Sequence, residues 1–245
     1  MKNAMTRFYE AALSQLEQLR STQWNKLEQA ADWVGAALAN DHWLYAFGTG
    51  HSHLLAEEIF FRAGSLARGV PMLDSKLMLH ENAIEATWQE RKEGYAAQFL
   101  SLYPVEAGDV MIVASNSGRN AVPVEMVLEA QQRGLKVIAV TNLAHSRQWP
   151  SRHRSGKNLA DVADLTIDNC GVPGDACLDL PGMPDKVGPT STITGAMIIN
   201  VIIVQAIENA VARGFQPEIY ISSNSCGDDH NEKLLQKYKS RIRHL

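Results

Sequence analysis

Over the first forty residues apolar side chains return at helical spacing: Phe8, Leu13, Leu16 and Leu19, then Trp24, Leu27, Ala31, Val34 and Leu38. That period predicts two helices, with Ser21 or Thr22 placed to cap the second. The pattern then changes. HWLYAFGTGHSH is a continuous apolar run that ends in a glycine turn, as a buried strand does. LLAEEIFFRAG returns to helical character and is closed by Gly64. GVPMLDS reads as a short strand, and residues 77–102 as a Glu-rich helical region interrupted near Gly94. GDVMIVASNSGRN gives a second clear strand and turn, AVPVEMVLEAQQRG a helix, and LKVIAVTN and ADLTIDN two more strands. Strand–helix alternation with strands apolar on both faces predicts an α/β fold with a parallel sheet.

The stretch from Cys170 to Pro189 carries several Gly and Pro and reads as a long loop, of the kind that often serves function. A long helix is predicted from Ser191 to Arg213 and a last one, with a basic end, from Asp228 to Arg243. The most apolar stretch, Ala196 to Ala206, is too short to span a bilayer and reads as a buried core helix.

With 245 residues, 45% of them hydrophobic, the chain is long enough for one domain with a large core. A net charge of −4 argues against nucleic acid and anionic membrane as partners, because both demand a concentrated basic face. The basic run from Arg147 to Lys157 reads as a solvated loop or a rim beside a substrate. Cys170, Cys177 and Cys226 stand far apart and are odd in number, which points to reduced thiols rather than a disulfide framework. No basic start with an apolar run opens the chain, so the expected location is the cytoplasm.

Two strand ends carry the chemistry. FGTGHS places Gly48, Thr49, Gly50, His51 and Ser52 between a strand and a helix, and ASNSGRN places Ser115, Asn116, Ser117, Gly118, Arg119 and Asn120 at a second such junction. Unpaired N–H groups at a helix start attract anions, small hydroxyls complete the cradle, and glycine lets the backbone come close. Ligands of open α/β sheets sit beyond the carboxyl ends of the strands, where one phosphate can touch both loops. GTGHSH lacks the third glycine of a dinucleotide fingerprint, and a P-loop is excluded by the missing GK[ST].

GTGHS followed by SNSGRN resembles the paired signature of SIS (sugar isomerase) domains, which bind phosphosugars. The second loop of that family is typically Ser-x-Ser-Gly-x-Ser/Thr; Ser115, Ser117 and Gly118 match, and Asn120 replaces the last hydroxyl. The resemblance implies a three-layer αβα sandwich around a five-stranded parallel sheet, with residues 1–40 as an N-terminal helical extension and 41–245 as the SIS domain. It also implies a homodimer or higher homo-oligomer. TSTITGAMIINVI and the tail HNEKL are similar to closing segments of N-acetylmuramic acid 6-phosphate etherases. The whole chain resembles stand-alone sugar isomerase domain-containing proteins, some of which are linked to dehydration of N-acetylglucosamine 6-phosphate.

That likeness implies a lyase or dehydratase acting on an amino-sugar 6-phosphate by removal of the C2 proton, with an aldose–ketose isomerase or a non-catalytic phosphosugar sensor as the other readings. A positioned carboxylate would be the base, its pKa raised by burial. Aligned on the second loop, Glu90 sits where the etherases carry their second acid. Their first acid corresponds to Arg62, so Glu81 beside His80 is the other candidate. Gly50, His51, Ser52, Ser115, Asn116, Ser117, Gly118 and Asn120 would hold phosphate. Arg119, Ser191, Thr192 and His230 would line the sugar, and in many SIS proteins a partner-subunit residue completes the pocket, a role open to His80 or His230. No Cys cluster or His-x-x-x-His spacing suggests a metal, and no cofactor is expected.

Overall fold

The computed structural model of the chain describes residues 2–245; Met1 lies outside them. Helix α1 (Ala4–Ala39) leads into β1 (Leu44–Gly48), α2 (His53–Glu58), β2 (Gly69–Met72), α3 (Leu79–Gln89) and α4 (Tyr95–Leu100). The alternation continues with β3 (Val110–Ala114), α5 (Ala121–Gln132), β4 (Lys136–Thr141), the short α6 (Leu143–Ser146) and α7 (Leu159–Val162), and β5 (Leu165–Asp168). Strands β6 (Ala176–Leu178) and β7 (Val187–Pro189), α8 (Ser191–Ala212) and α9 (Asp228–Tyr238) follow.

The first five strands form one parallel sheet in the order β2-β1-β3-β4-β5. Alternating side chains feed two cores. Leu44 and Ala46 of β1 and Val110, Ile112 and Ala114 of β3 join Leu27, Val34 and Leu38 of α1 and Ile198, Ile199 and Ile202 of α8. Tyr45, Phe47, Met111 and Val113 face the other way, onto Phe99 of α4, Met126 and Val127 of α5 and Leu234 and Tyr238 of α9. The result is the parallel sheet that the strand pattern predicts, in the three-layer αβα sandwich that the SIS resemblance implies.

Two expectations change. The N-terminal region is one helix of 36 residues, not two. Ser21 and Thr22 cap nothing: their hydroxyls both donate to the Gln18 carbonyl (3.1 and 2.7 Å), one turn back within the same helix. The apolar stripe continues through them without a glycine or proline to stop it, and the cap is Asn3, which accepts from the Thr6 N–H. The 170–189 stretch is not structureless either, because β6 and β7 pair in it as an antiparallel hairpin. Helix α8 is longer than the apolar stretch that announced it. Its 22 residues are apolar enough to cross a membrane by composition, yet one face is packed on α1 through Ile198, Ile202 and Ala206.

Residues 218–220 pair with residues 64–67, the segment that leads into β2, through Gly64 N donating to Tyr220 O (2.8 Å) and Tyr220 N to Ser65 O (3.0 Å). Buried Asn231 of α9 fastens the next residues. Its amide oxygen accepts from Ile221 N (3.1 Å), and its amide nitrogen donates to Ile221 O (2.7 Å) and Ser223 Oγ (3.2 Å). This gives the Asn of the HNEKL tail a structural job. Asn231→Leu leaves three polar partners unmatched, and we expect a loss of about 1–2 kcal/mol in chemical denaturation; unchanged stability would contradict the clamp.

Candidate active site

The strand order reverses between β1 and β3, and the loops that leave these two strands flank the switch point, where open α/β sheets place their ligands. Each loop is shaped by a close approach. A Cβ on Gly48 would lie 2.3 Å from the Ser52 carbonyl oxygen, so only glycine lets β1 turn this tightly. The turn is closed by Ser52 N donating to Thr49 O (3.0 Å) and by the buried His53 ring against the Gly50 carbonyl. In the second loop Gly118 N donates to Ser115 Oγ (3.1 Å), which leaves the Ser115 hydroxyl hydrogen available to a ligand. Gly118 has φ +61°, and a Cβ there would stand 2.7 Å from Thr141 Oγ1.

Between the loops lies a cavity of about 390 Å³, a size suited to a small molecule. Glu90, at the end of α3, closes one side of it. Its Oε2 accepts from Thr49 Oγ1 (2.8 Å) and its Oε1 from Asn120 Nδ2 (2.7 Å), so one carboxylate ties the two loops together. Its carbonyl accepts from Val122 N (3.0 Å), which fixes the end of α3 against the start of α5. Burial raises the Glu90 pKa above the usual carboxylate value, opposed by the Thr49 hydrogen bond and by the charges of Arg91 and Arg152.

Across the sheet, Asn142 caps α6 by accepting from His145 N (2.9 Å), and this sets His145 on the cavity wall. Gly174 N donates to His145 Nδ1 (2.8 Å), so a neutral ring carries its proton on Nε2. Burial, and then the charge of Arg119, lower the His145 pKa and favour that neutral form. Asp175, with φ +69°, accepts from Thr190 N and Ser191 N (3.0 and 2.9 Å) and binds the Ser191 hydroxyl at 2.5 Å. It thereby caps α8, whose first residues Ser191 and Thr192 also line the cavity.

The sequence-predicted residues divide as follows. Gly50, His51, Ser52, Ser115, Asn116, Ser117 and Asn120 line the cavity, as do Glu90, Ser191 and Thr192. Asn120 has a different task from the phosphate contact expected of it: its side chain bridges Glu90 and Arg152, whose Nη1 donates to Asn120 Oδ1 (2.9 Å). Gly118 shapes the loop from behind, and Arg119 lies beside the wall with its Nε donating to Pro150 O (3.0 Å). His80 and Glu81 stand outside the cavity, both exposed. The first turn of α3 presents Leu79 to the cavity, while the His80 ring lies against the His53 ring (centroids 5.5 Å) and Glu81 stays in solvent; the extended backbone at Asn82 then breaks the helix. His230 is also outside, exposed on α9 with Nε2 at 2.9 Å from Ile219 O. Thr49, His145, Asn169 and Asp175 were missed as side-chain contributors. The rule that singled out the ends of β1 and β3 applies equally to β4 and β5, which His145 and Asn169 follow closely.

A SIS domain model matches residues 7–142, from within α1 to just past the end of β4. The chain belongs to the SIS-domain family. Among relatives of this SIS-domain protein, a UPF0309 protein of Caldanaerobacter subterraneus subsp. tengcongensis is 40% identical, the match covering 97% of this chain and 98% of that one. Another, from Halalkalibacterium halodurans, is 44% identical over 89% of this chain and 88% of its own. Two solved structures share the fold. The phosphoheptose isomerase of Francisella tularensis superposes with a TM-score of 0.53 at 15% identity, covering 84% of this chain and 100% of that one. The phosphoheptose isomerase GmhA of Neisseria gonorrhoeae gives 0.51 at 18% identity, over 84% and 97%. At such identities the likeness is one of fold.

Proposed function

We propose that this cavity binds an amino-sugar 6-phosphate and that Glu90 removes the proton on C2 of its open-chain form. The observation that carries the reading is the Glu90 carboxylate, set by Thr49 and Asn120 between two loops of serines and glycines, with its pKa raised by burial. Phosphate lies against Ser52, Ser115 and Ser117 and the backbone N–H groups around them. The C2–H bond breaks toward Glu90, and its electrons move into an enolate over C1–C2, with the charge on the C1 oxygen and the nitrogen kept on C2. In the elimination branch those electrons return to form C2=C3 as the C3 oxygen leaves. His145, neutral with a proton on Nε2, donates to that oxygen. Ser191 and Thr192 bind sugar hydroxyls. His80, Glu81 and His230 have no part in the reaction within one chain.

Proton NMR in heavy water tests this with N-acetylglucosamine 6-phosphate, its galacto epimer and N-acetylmuramic acid 6-phosphate. The expected result is loss of the C2 proton signal followed by vinyl signals. Ketose signals from an aldose with oxygen on C2, such as glucose 6-phosphate, would replace elimination with isomerisation. An unchanged spectrum with ligand line-broadening would leave a phosphosugar sensor and remove Glu90 from any chemistry.

A further inference from the structure

Arg152 stands outside the cavity and reaches the base through Asn120. Its Nη1 donates to Asn120 Oδ1 (2.9 Å), and Asn120 Nδ2 donates in turn to Glu90 Oε1 (2.7 Å). The direction of this chain is set at its outer end. A guanidinium holds only donors and stays protonated, so the face that Asn120 turns to it must be the amide oxygen. The amide nitrogen is then left for Glu90, and the carboxyl oxygen it meets must accept. Thr49 Oγ1 donates to the other carboxyl oxygen (2.8 Å). Both oxygens of Glu90 are thus offered hydrogens, which suits the ionised carboxylate.

The surrounding chain holds Arg152 in place. Its backbone N donates to the Arg119 carbonyl (2.8 Å), and Arg119 Nε donates to Pro150 O (3.0 Å), so its loop is tied to the second serine loop twice. The next residue, His153, is buried with Nε2 3.7 Å from Oε1 of the buried Glu125. Glu125 also accepts from Gly94 N (2.8 Å), in the turn between α3 and α4. Arg152 itself is exposed and fills no gap in the core. Burial, the largest influence on Glu90, disfavours its charge; the Thr49 hydrogen bond, Arg91 and Arg152 favour it. Burial, then Arg91 and Arg119, oppose the charge on Arg152, and Glu90 supports it. His51, His145 and Asp175 line the same cavity.

We infer that Arg152 is a positioning residue for Glu90: it holds the Asn120 amide oxygen, turns the amide nitrogen to the carboxylate and so keeps Glu90 ready to accept a proton. Without Arg152 the amide is free to turn over, show its oxygen to Glu90 and favour the protonated carboxyl. The consequence for catalysis rests on the reading of Glu90 as the base; the orientation of the amide does not.

Two measurements on Arg152→Met test this, because methionine keeps an unbranched chain and has no donor. The first is carbon NMR of the full chain labelled at its glutamate carboxyl carbons, with the Glu90 signal assigned by its loss in Glu90→Gln. The midpoint of the Glu90 titration is expected to move to higher pH. The second is C2 proton exchange of N-acetylglucosamine 6-phosphate in heavy water. Exchange is expected to fall about tenfold on the rising limb of its pH profile, the deficit narrowing as pH increases. Arg152→Lys should restore both, since Arg152 uses a single donor here and lysine supplies one. In an Asn120→Ala background Arg152→Met should move the midpoint by about half as much or less. A Glu90 midpoint that stays in place in Arg152→Met would overturn the inference. So would an equal step in the Asn120→Ala background, because the arginine would then act by its charge across space. A loss of exchange equal at every pH would reduce Arg152 to a prop for its loop and end the inference as well. Absent C2 exchange in the unmodified chain, with the midpoint still moved by Arg152→Met, would instead strike the base reading and leave the amide orientation standing.

Discussion

Glu90→Gln is expected to lower the rate of C2 proton exchange by about 10³-fold, within the range general-base removal commonly gives, and to leave phosphosugar affinity within about threefold. The two halves of that result have separate causes. Gln keeps the volume and one acceptor oxygen, so either Thr49 or Asn120 keeps its partner, and the two serine loops stay in register. The base itself is gone. Exchange measured in heavy water and affinity measured by calorimetry on the same preparation separate the two. Exchange at the original rate would transfer the base to another group, and lost binding would make Glu90 a strut between the loops.

The pH dependence follows from the direction of the Glu90 shift. Its folded-state pKa lies above its unfolded value because burial disfavours the charge. Such a group adds stability that is fully present below the unfolded pKa and is lost as pH rises through the folded pKa. The active carboxylate forms over that same rise. Activity therefore grows with pH above the ordinary carboxylate range, while the Glu90 contribution to stability falls away. Glu90→Gln should remove both effects together, leaving a stability profile flatter across that interval.

The five strands of the parallel sheet were legible because each is a short apolar run bounded by glycine or by a polar turn, and both faces of the sheet are covered. Both serine loops were legible for the same reason, since they begin where those runs stop. The continuity of α1 was not, because Ser21 and Thr22 suit a cap and a helix interior equally, and only packing on α8 decides between them. His145 was within reach of the strand-end rule applied to β4, but its contact with Gly174, 29 positions away, was not. Asp175 was beyond reach, because it enters the cavity through contacts with the start of α8, 15–16 positions along the chain. Glu90 was reached by resemblance; its period along α3 alone does not separate it from Glu81 and Glu85, which are exposed. Asn120 shows the limit of matching by position. It fills a place where the family has a hydroxyl, and its longer side chain reaches past that place to Glu90 and Arg152.

Gly48→Ala is the substitution from which we expect the largest loss of stability. The added Cβ would meet the Ser52 carbonyl oxygen at 2.3 Å, its carbon at 2.5 Å and the His53 nitrogen at 3.0 Å. All three are backbone atoms, so no side chain can turn aside, and the loop after β1 must shift as a unit. That loop holds Thr49 against Glu90 and Ser52 beside the cavity, so movement loosens the base and the phosphate cradle together. A cost of about 3 kcal/mol fits a forced backbone displacement in a packed interior, and lowers the melting temperature by roughly 6–12 °C for a chain of this size. Gly64→Ala is the matched control. Gly64 has φ +85° with nothing within 4 Å of a new Cβ, so only backbone strain acts there, at about 1 kcal/mol. Melting curves that rank Gly64→Ala below or level with Gly48→Ala in stability would mean that the β1 turn yields easily. The loop would then be too compliant to hold Glu90, and preorganisation of the base by Thr49 would have to be abandoned.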